Sequence, residues 1–239
     1  MKKAILFVAL CAFGAMMTVS CSTMTSKGTQ PKTISSADVD SVSYMLGYSF
    51  GMQLNRSNFG PLNGSQIVKG IQAATAGEEI DYADFQRIVD GFMEKRMTAI
   101  TEENKAESQK ALDAFASEEG VVVTESGLHY KIVKEGEGAK PAEADTVEVN
   151  YEGKNLKGEV FDSSYERGET TTFPLNRVIK GWTEGIQLIG EGGEIELLIP
   201  AELAYGNRGA GEKIGPEEAL RFKVELVSVK PVAKAEEAK

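Results

Sequence analysis

This chain of 239 residues is poor in the side chains that do covalent and metal chemistry: it has one histidine, two cysteines and one tryptophan. The single histidine, His129, sits in an alternating run that reads as a strand, and no Ser, Cys or carboxylate cluster is tied to it. A Ser-His-Asp triad would have one candidate base and no elbow motif to carry the nucleophile. Zinc needs several His or Cys ligands, so no metal site is expected. Neither a GxxxxGK[ST] loop nor a strand-linked GxGxxG occurs, and glycines 136, 138, 190, 192 and 193 read as turn residues. No cofactor is expected on these grounds. Positive charge is also scarce, with 26 Lys and Arg against 36 Asp and Glu and a net charge of −10. That balance argues against a nucleic-acid surface, which needs a basic face. Finally, the longest apolar run, Ala4 to Met17, falls short of the ~20 residues that span a bilayer.

What is present at the N-terminus is a sorting signal. MKK supplies a positive start, AILFVALCAFGAMM an apolar run and TVSC a small-residue cleavage region, so residues 1–20 read as a bacterial signal peptide. Cys21 follows Val19 and Ser20, where a lipoprotein signal places its acceptor cysteine, although Thr18 stands where Leu is usual. Loss of Lys2 and Lys3 leaves 24 basic residues against 36 acidic ones, a mature charge of −12. Cys11 leaves with the signal, and a lone Cys21 cannot form an intramolecular disulfide. The fold must therefore be held by its core, with Cys21 best explained as a lipid anchor. A periplasm-facing, membrane-anchored envelope protein is the expectation.

Residues 21–34 are polar and breaker-rich and read as a tether. From residue 35 the pattern turns helical. Ser35 and Asp38 have capping-box spacing, and Val42, Met45, Leu46 and Met52, with Tyr44 and Tyr48, recur at helical intervals. Gly47 and Gly51 lie four apart on one face, open to close approach by another helix. Asn63 starts a second helix that Gly77 ends, and Asp81 caps a third, with Phe85, Ile88, Val89, Phe92, Met93 and Ile100 in a stripe. These apolar stripes read as core rather than as a ligand site. Three helices of this size make a poor core alone, so residues 35–100 are expected to form a dimerisation domain, with a second copy supplying the missing burial. Residues 101–120 look polar nearly all round and are read as a solvent-bridging linker helix.

At Val121 the period switches to two. VVVTE, LHYKIV, TVEVNYEG, VFDSS, EIELLIP and LRFKVELVSV are short strand-like runs, with Asn155-Leu156-Lys157-Gly158 as a hairpin turn. One helix interrupts them, Lys180 to Ile189, with Trp182, Ile186 and Ile189 on one side. One amphipathic helix laid on an antiparallel sheet gives an α+β fold over residues 121–230, followed by a solvated tail at 231–239. The carboxylates Glu191, Glu194, Glu217 and Glu218 are read as loop charges.

The order and spacing of FDSS, VIKGWTEG and AYGNRGAG within this segment resemble the FKBP-type peptidyl-prolyl isomerases from about Val121 to Lys230. SYMLGYSFGMQL in the preceding helices is similar to the dimerisation domain of the periplasmic, macrophage-infectivity-potentiator-like branch. The resemblance implies an antiparallel sheet curled round a short helix, with the ligand between them. It implies Trp182 as the pocket floor and Tyr151, Phe161, Val178, Ile179 and Phe222 as its walls. Tyr205 would offer its hydroxyl to a substrate carbonyl, and the Ile179 amide would serve a second one. Asp162, held by Arg167, would lie beside the twisting amide, and Ile214 would close one side. Trp182, Tyr205 and Asp162 are the expected catalytic residues. Departures sit at the rim: Thr171 where relatives place an aromatic or Ala, Lys213 before Ile214, and GPEEA in the following loop. Glu212, Lys213, Glu217 and Glu218 are expected to make that rim charged.

Such a site suits prolyl isomerisation. Rotation about X–Pro is opposed by a resonance barrier of ~18–20 kcal/mol. The twisted imide has lost that resonance and is less dipolar, so an apolar pocket that strips water from it favours the twisted state. No nucleophile is needed. The expected clients are proline-containing, unfolded or exported polypeptides. The alternative is a peptide-binding envelope chaperone with little isomerase activity.

Overall fold

A computed structural model describes residues 29–232. The signal segment 1–20, Cys21, the tether as far as residue 28 and the tail from residue 233 lie outside the described residues. The chain divides into two compact units, Met1–Ile88 and Val89–Lys239.

In the first unit, helix α1 covers Ser36–Arg56. Ser35 and Asp38 exchange the two hydrogen bonds of a capping box, satisfying amides that have no partner inside the helix. Helix α2, Gly64–Ala76, is started by Asn63 Oδ1 accepting from the Ser65 and Gln66 amides, and is stopped by Gly77 in the left-handed region at φ 88°. No residue of α1 or α2 is buried. Tyr44 is 72% exposed, Leu46 66% and Met45 61%. The apolar stripe read from the sequence is thus present and, among the described residues, uncovered.

Helix α3 runs unbroken from Tyr82 to Ala116. Its C-terminal part departs from the expectation of a polar, solvent-bridging linker. Ser108, Leu112 and Phe115, spaced as one helical face, are buried. Leu112 and Phe115 form a small core with Leu198 and Ala219, flanked by Ala111, Val121 and Leu156. Among the described residues no helix is long and apolar enough to cross a membrane.

The rest of the second unit is the expected α+β fold. Strands β1 (Val121–Val123), β2 (His129–Lys134), β3 (Thr146–Lys154), β4 (Val160–Ser163), β5 (Thr171–Pro174), β6 (Glu194–Ile199) and β7 (Leu220–Lys230) form one antiparallel sheet. Its order is β1-β2-β6-β7-β3-β4, with β5 also paired to β3. Between β4 and β5 lies a single helical turn, α4 (Ser164–Arg167), and between β5 and β6 lies α5 (Lys180–Ile186). β3 buries every second residue. Val147, Val149 and Tyr151 therefore face the main core with Ile195, Leu197 and Ile199 of β6, Phe222, Val224 and Leu226 of β7, and Trp182 and Ile186 of α5. The opposite face carries cross-strand ion pairs, Arg221 with Glu196 at 2.8 Å and Lys223 with Glu194 at 2.9 Å. Leu198, pointing away from its neighbours Leu197 and Ile199, meets the end of α3 instead.

Two glycines bring α5 onto the sheet. A β-carbon at Gly181 would lie 2.4 Å from Ile199 Cγ2, and one at Gly185 would lie 2.7 Å from Leu197 Cδ2. Spaced four apart, they form one helix face that lies against β6 with no room for a side chain.

Candidate functional site

A cavity of about 440 Å³ opens beside α5. Trp182, one residue into the helix from Gly181, is buried, and its ring meets Tyr151 edge-on at 4.8 Å, Phe222 edge-on at 5.2 Å and Phe173 tilted at 5.4 Å. Its indole N–H is buried and has no hydrogen-bond partner among the described residues. Tryptophan gives this position a large, rigid apolar surface. Phe161 of β4 crosses Phe222 of β7 at 5.5 Å, and both close over Gly153. A β-carbon at Gly153 would stand 2.6 Å from Phe222 and 2.8 Å from Phe161, so only glycine lets the two rings meet there.

The cavity brings together Tyr151, Phe161, Asp162, Val178, Ile179, Trp182, Tyr205 and Phe222 of the residues singled out by sequence. Arg167 stands behind the wall, against Asp162 and Tyr151. Ile214 is buried in the main core beside the cavity rather than on its lining. Thr171, read from the sequence as a rim position, is on the lining, with Phe173 and Arg177, which the sequence did not single out. The first two come from β5, a four-residue strand of two threonines, Phe and Pro whose alternation is too short to mark it.

One wall is polar and tightly organised. Asp162 accepts a hydrogen bond from the Tyr151 hydroxyl at 2.5 Å and forms an ion pair with Arg167. The same guanidinium donates to Tyr151 Oη and to Thr171 Oγ1, each at 3.0 Å, and lies over the Tyr151 ring. Local sequence dictates this geometry. Ser163 caps the single turn of α4, accepting from the Glu166 amide, and Gly168 ends it at φ 73°, which folds Arg167 back onto Asp162 five residues earlier. Ser164 Oγ accepts from the Tyr151 amide at 2.8 Å and fixes β3 against this turn.

Electrostatics hold both tyrosines neutral. Burial pushes the Tyr151 hydroxyl above the usual tyrosine range, and its bond to Asp162 adds to that. Burial also raises Tyr205, with the negative charge of Asp162 as a second cause. Tyr205 lines the cavity with its hydroxyl bonded to no group among the described residues, so it stands as a donor facing the cavity. Ile179 caps the N-terminus of α5, its carbonyl accepting from the Trp182 and Thr183 amides at 3.0 and 3.1 Å. Its own amide has no partner among the described residues. The cavity therefore offers apolar walls, unengaged donors at Tyr205, Ile179 and Trp182, and one carboxylate already committed to Tyr151 and Arg167.

The rim differs from expectation. Glu218 is buried, its carboxylate accepting from the Gly215 amide at 2.7 Å and the Leu156 amide at 3.2 Å. Lys213 Nζ donates to the Val160 carbonyl at 2.7 Å. Two of the four rim charges are thus consumed in holding the loop. Glu191, read as a loop charge, accepts from the Val229 amide at 2.6 Å. His129 lies half-buried in β2, with Nδ1 at 2.9 Å from the Gly127 carbonyl. Among the described residues no three His, Cys, Asp or Glu converge to hold a metal ion.

A curled antiparallel sheet, a short helix with a tryptophan at its start and an aromatic cavity between them define an FKBP-type domain. Comparison with known proteins agrees. Residues 137–227 match the FKBP-type peptidyl-prolyl cis-trans isomerase model, and residues 39–132 match the domain amino-terminal to such isomerases. The outer membrane protein MIP of Legionella longbeachae is 40% identical over 205 residues, spanning 82% of this chain and 88% of that protein. The 22 kDa FKBP-type isomerase of Escherichia coli is 41% identical over 196 residues, spanning 78% and 93%. The crystal structure of Escherichia coli FkpA superposes with a TM-score of 0.66 at 37% identity, covering 81% of this chain and 97% of that one. The chain belongs to the FKBP-type peptidyl-prolyl cis-trans isomerases.

Proposed function

We propose that the cavity beside α5 is the isomerisation site and that the chain acts on exported, proline-containing polypeptides in the cell envelope as a lipid-anchored homodimer. The observation that supports the site is the combination of aromatic walls with unengaged donors at Tyr205 and Ile179 and a carboxylate fixed by Arg167. Proline enters over Trp182, and the walls strip water from the imide. The planar imide is the more dipolar state, so removing water destabilises it more than the twisted one. The Tyr205 hydroxyl and the Ile179 amide hold substrate carbonyls on either side, leaving the X–Pro bond free to turn between fixed ends. Asp162, immobilised by Tyr151 and Arg167, presents its charge to the rotating amide. No proton or covalent bond changes hands.

Dimerisation is supported by the uncovered apolar stripe of α1, with Gly47 and Gly51 open on its surface and nothing within 4 Å of a β-carbon at either. Light scattering on the soluble chain at micromolar concentration gives a dimer mass; a monomer mass refutes the assignment. Anchoring rests on the signal-like start and Cys21, and the Legionella relative is named as an outer membrane protein. Metabolic labelling with a fatty-acid analogue should mark the wild type and spare Cys21→Ser; equal labelling of both refutes Cys21 as the acceptor.

A further inference from the structure

The end of helix α3 does more than cover the sheet. It reaches the loop that follows Tyr205 of the cavity lining, residues 206–219. Asn104 Nδ2 donates to the Pro216 carbonyl at 2.8 Å. One turn later the Ser108 hydroxyl donates to the Glu217 carbonyl at 2.9 Å and accepts from the Ala219 amide at 2.8 Å. The fit is close: a β-carbon at Gly215 would lie 2.4 Å from Asn104 Nδ2.

Glu217 is bonded both to the helix and to the residue that follows Tyr205. It has φ 55°, in the left-handed region that side chains other than glycine and asparagine seldom adopt. Such a conformation persists where the surroundings over-determine it. Here Ser108 holds its carbonyl, while its amide donates to the Gly206 carbonyl at 3.0 Å, next in sequence to Tyr205. The other arm of the loop pairs Ala210 with Ile214, which packs in the same core as Trp182.

We infer that Asn104 and Ser108 are positioning residues for isomerisation, clamping the Pro216–Ala219 segment so that Tyr205 stays on the cavity lining and Ile214 stays in the core beneath it. They touch no substrate and act through Glu217 and the loop. The inference rests on the cavity beside α5 being the isomerase site.

The test uses the full-length chain. Asn104→Asp keeps the size and removes the donor, Ser108→Ala removes the hydroxyl, and Ser108→Thr retains it. Gln109→Ala is the control on the same helix, since among the described residues the Gln109 side chain bonds only to Asp113. Asn104→Asp and Ser108→Ala each lower kcat/KM for an X–Pro peptide by about threefold to tenfold, mainly through KM, with exchange of the Glu217 amide accelerated. Ser108→Thr recovers most of the loss and Gln109→Ala shows none. In an Ile214→Ala background the loss from Ser108→Ala shrinks to under about twofold, because the loop is already displaced. An undiminished loss in that background, or no loss in either, overturns the inference. Should a variant fail to fold, amide exchange in the wild type decides: Glu217 and Ala219 protected like β7 support the clamp, and exchange at open-loop rates refutes it. An inactive wild type refutes the isomerase reading instead, and the exchange result still decides the clamp.

Discussion

Gly181→Ala tests how the pocket floor is held in place. The added methyl would meet Ile199 Cγ2 at 2.4 Å and its Cδ1 at 2.8 Å, whereas carbon atoms in contact sit about 3.5–4.0 Å apart. Ile199 is fully buried, so it has no empty space to turn into. The relief left is for α5 to lift from β6 by about 1 Å, and Trp182 moves with it. Forcing one methylene into a packed core costs about 1–3 kcal/mol, and a displacement of that size at a site can lower its rate by about a hundredfold. Gly185→Ala is the companion. Its methyl meets Leu197 Cδ2 at 2.7 Å, three residues beyond Trp182 and against a different residue of β6. We expect both variants to lose stability by similar amounts in thermal or urea unfolding. Gly181→Ala should lose at least about tenfold more kcat/KM than Gly185→Ala, measured well below either melting point. Equal losses in kcat/KM, or none at Gly181→Ala, would refute the reasoning that the glycine contact sets the floor.

Other expectations follow from the polar wall and the second core. Asp162→Ala leaves Arg167 its bonds to Tyr151 and Thr171, so circular dichroism stays native, while kcat/KM falls by about tenfold or more; unchanged kcat/KM removes Asp162 from the mechanism. Tyr205 and Tyr151 have raised pKa values, so their donating, neutral forms persist above the ordinary tyrosine value of about 10. The sign follows: any contribution of these hydroxyls is present below that value and lost only as pH rises past it. kcat/KM should therefore be level from neutral pH through the ordinary tyrosine range, and a fall beginning below that range contradicts the assignment. Leu112→Ala, in the small core between α3 and Leu198, should destabilise the second unit by about 2–3 kcal/mol in urea unfolding; a cost near zero would mean α3 does not pack there.

Local chemistry made much of this legible. Ser35, Asn63 and Gly77 mark helix ends because their side chains or backbone freedom answer unpaired groups within a few residues. Asn155 and Gly158 mark the hairpin for the same reason, with Gly158 at φ 80°. FDSS carries both Asp162 and the Ser163 cap that turns Arg167 back towards it. Less legible was whatever depends on distant partners. β5 alternates over four residues only and earns its place by pairing with β3. The end of α3 looked polar because its buried face is narrow, Ser108, Leu112 and Phe115, and includes a serine whose partners are 109 and 111 residues away. One signal was available: Leu197-Leu198-Ile199 breaks the alternation of β6, as a strand end covered on both faces does. Glu218 looked like a surface charge because one of the two amides it accepts from, that of Leu156, is 62 residues away.

The central claim is that this cavity turns X–Pro bonds without covalent chemistry, using Trp182 as its floor. A protease-coupled isomerisation assay on the soluble chain lacking Cys21, with the residue before proline varied and Trp182→Leu beside the wild type, tests it most directly. The account predicts acceleration by the wild type that Trp182→Leu loses while remaining folded, since among the described residues the indole N–H makes no hydrogen bond that the substitution would break. Equal acceleration by the two proteins, or none by a folded wild type, would contradict it and leave the cavity a peptide-binding surface.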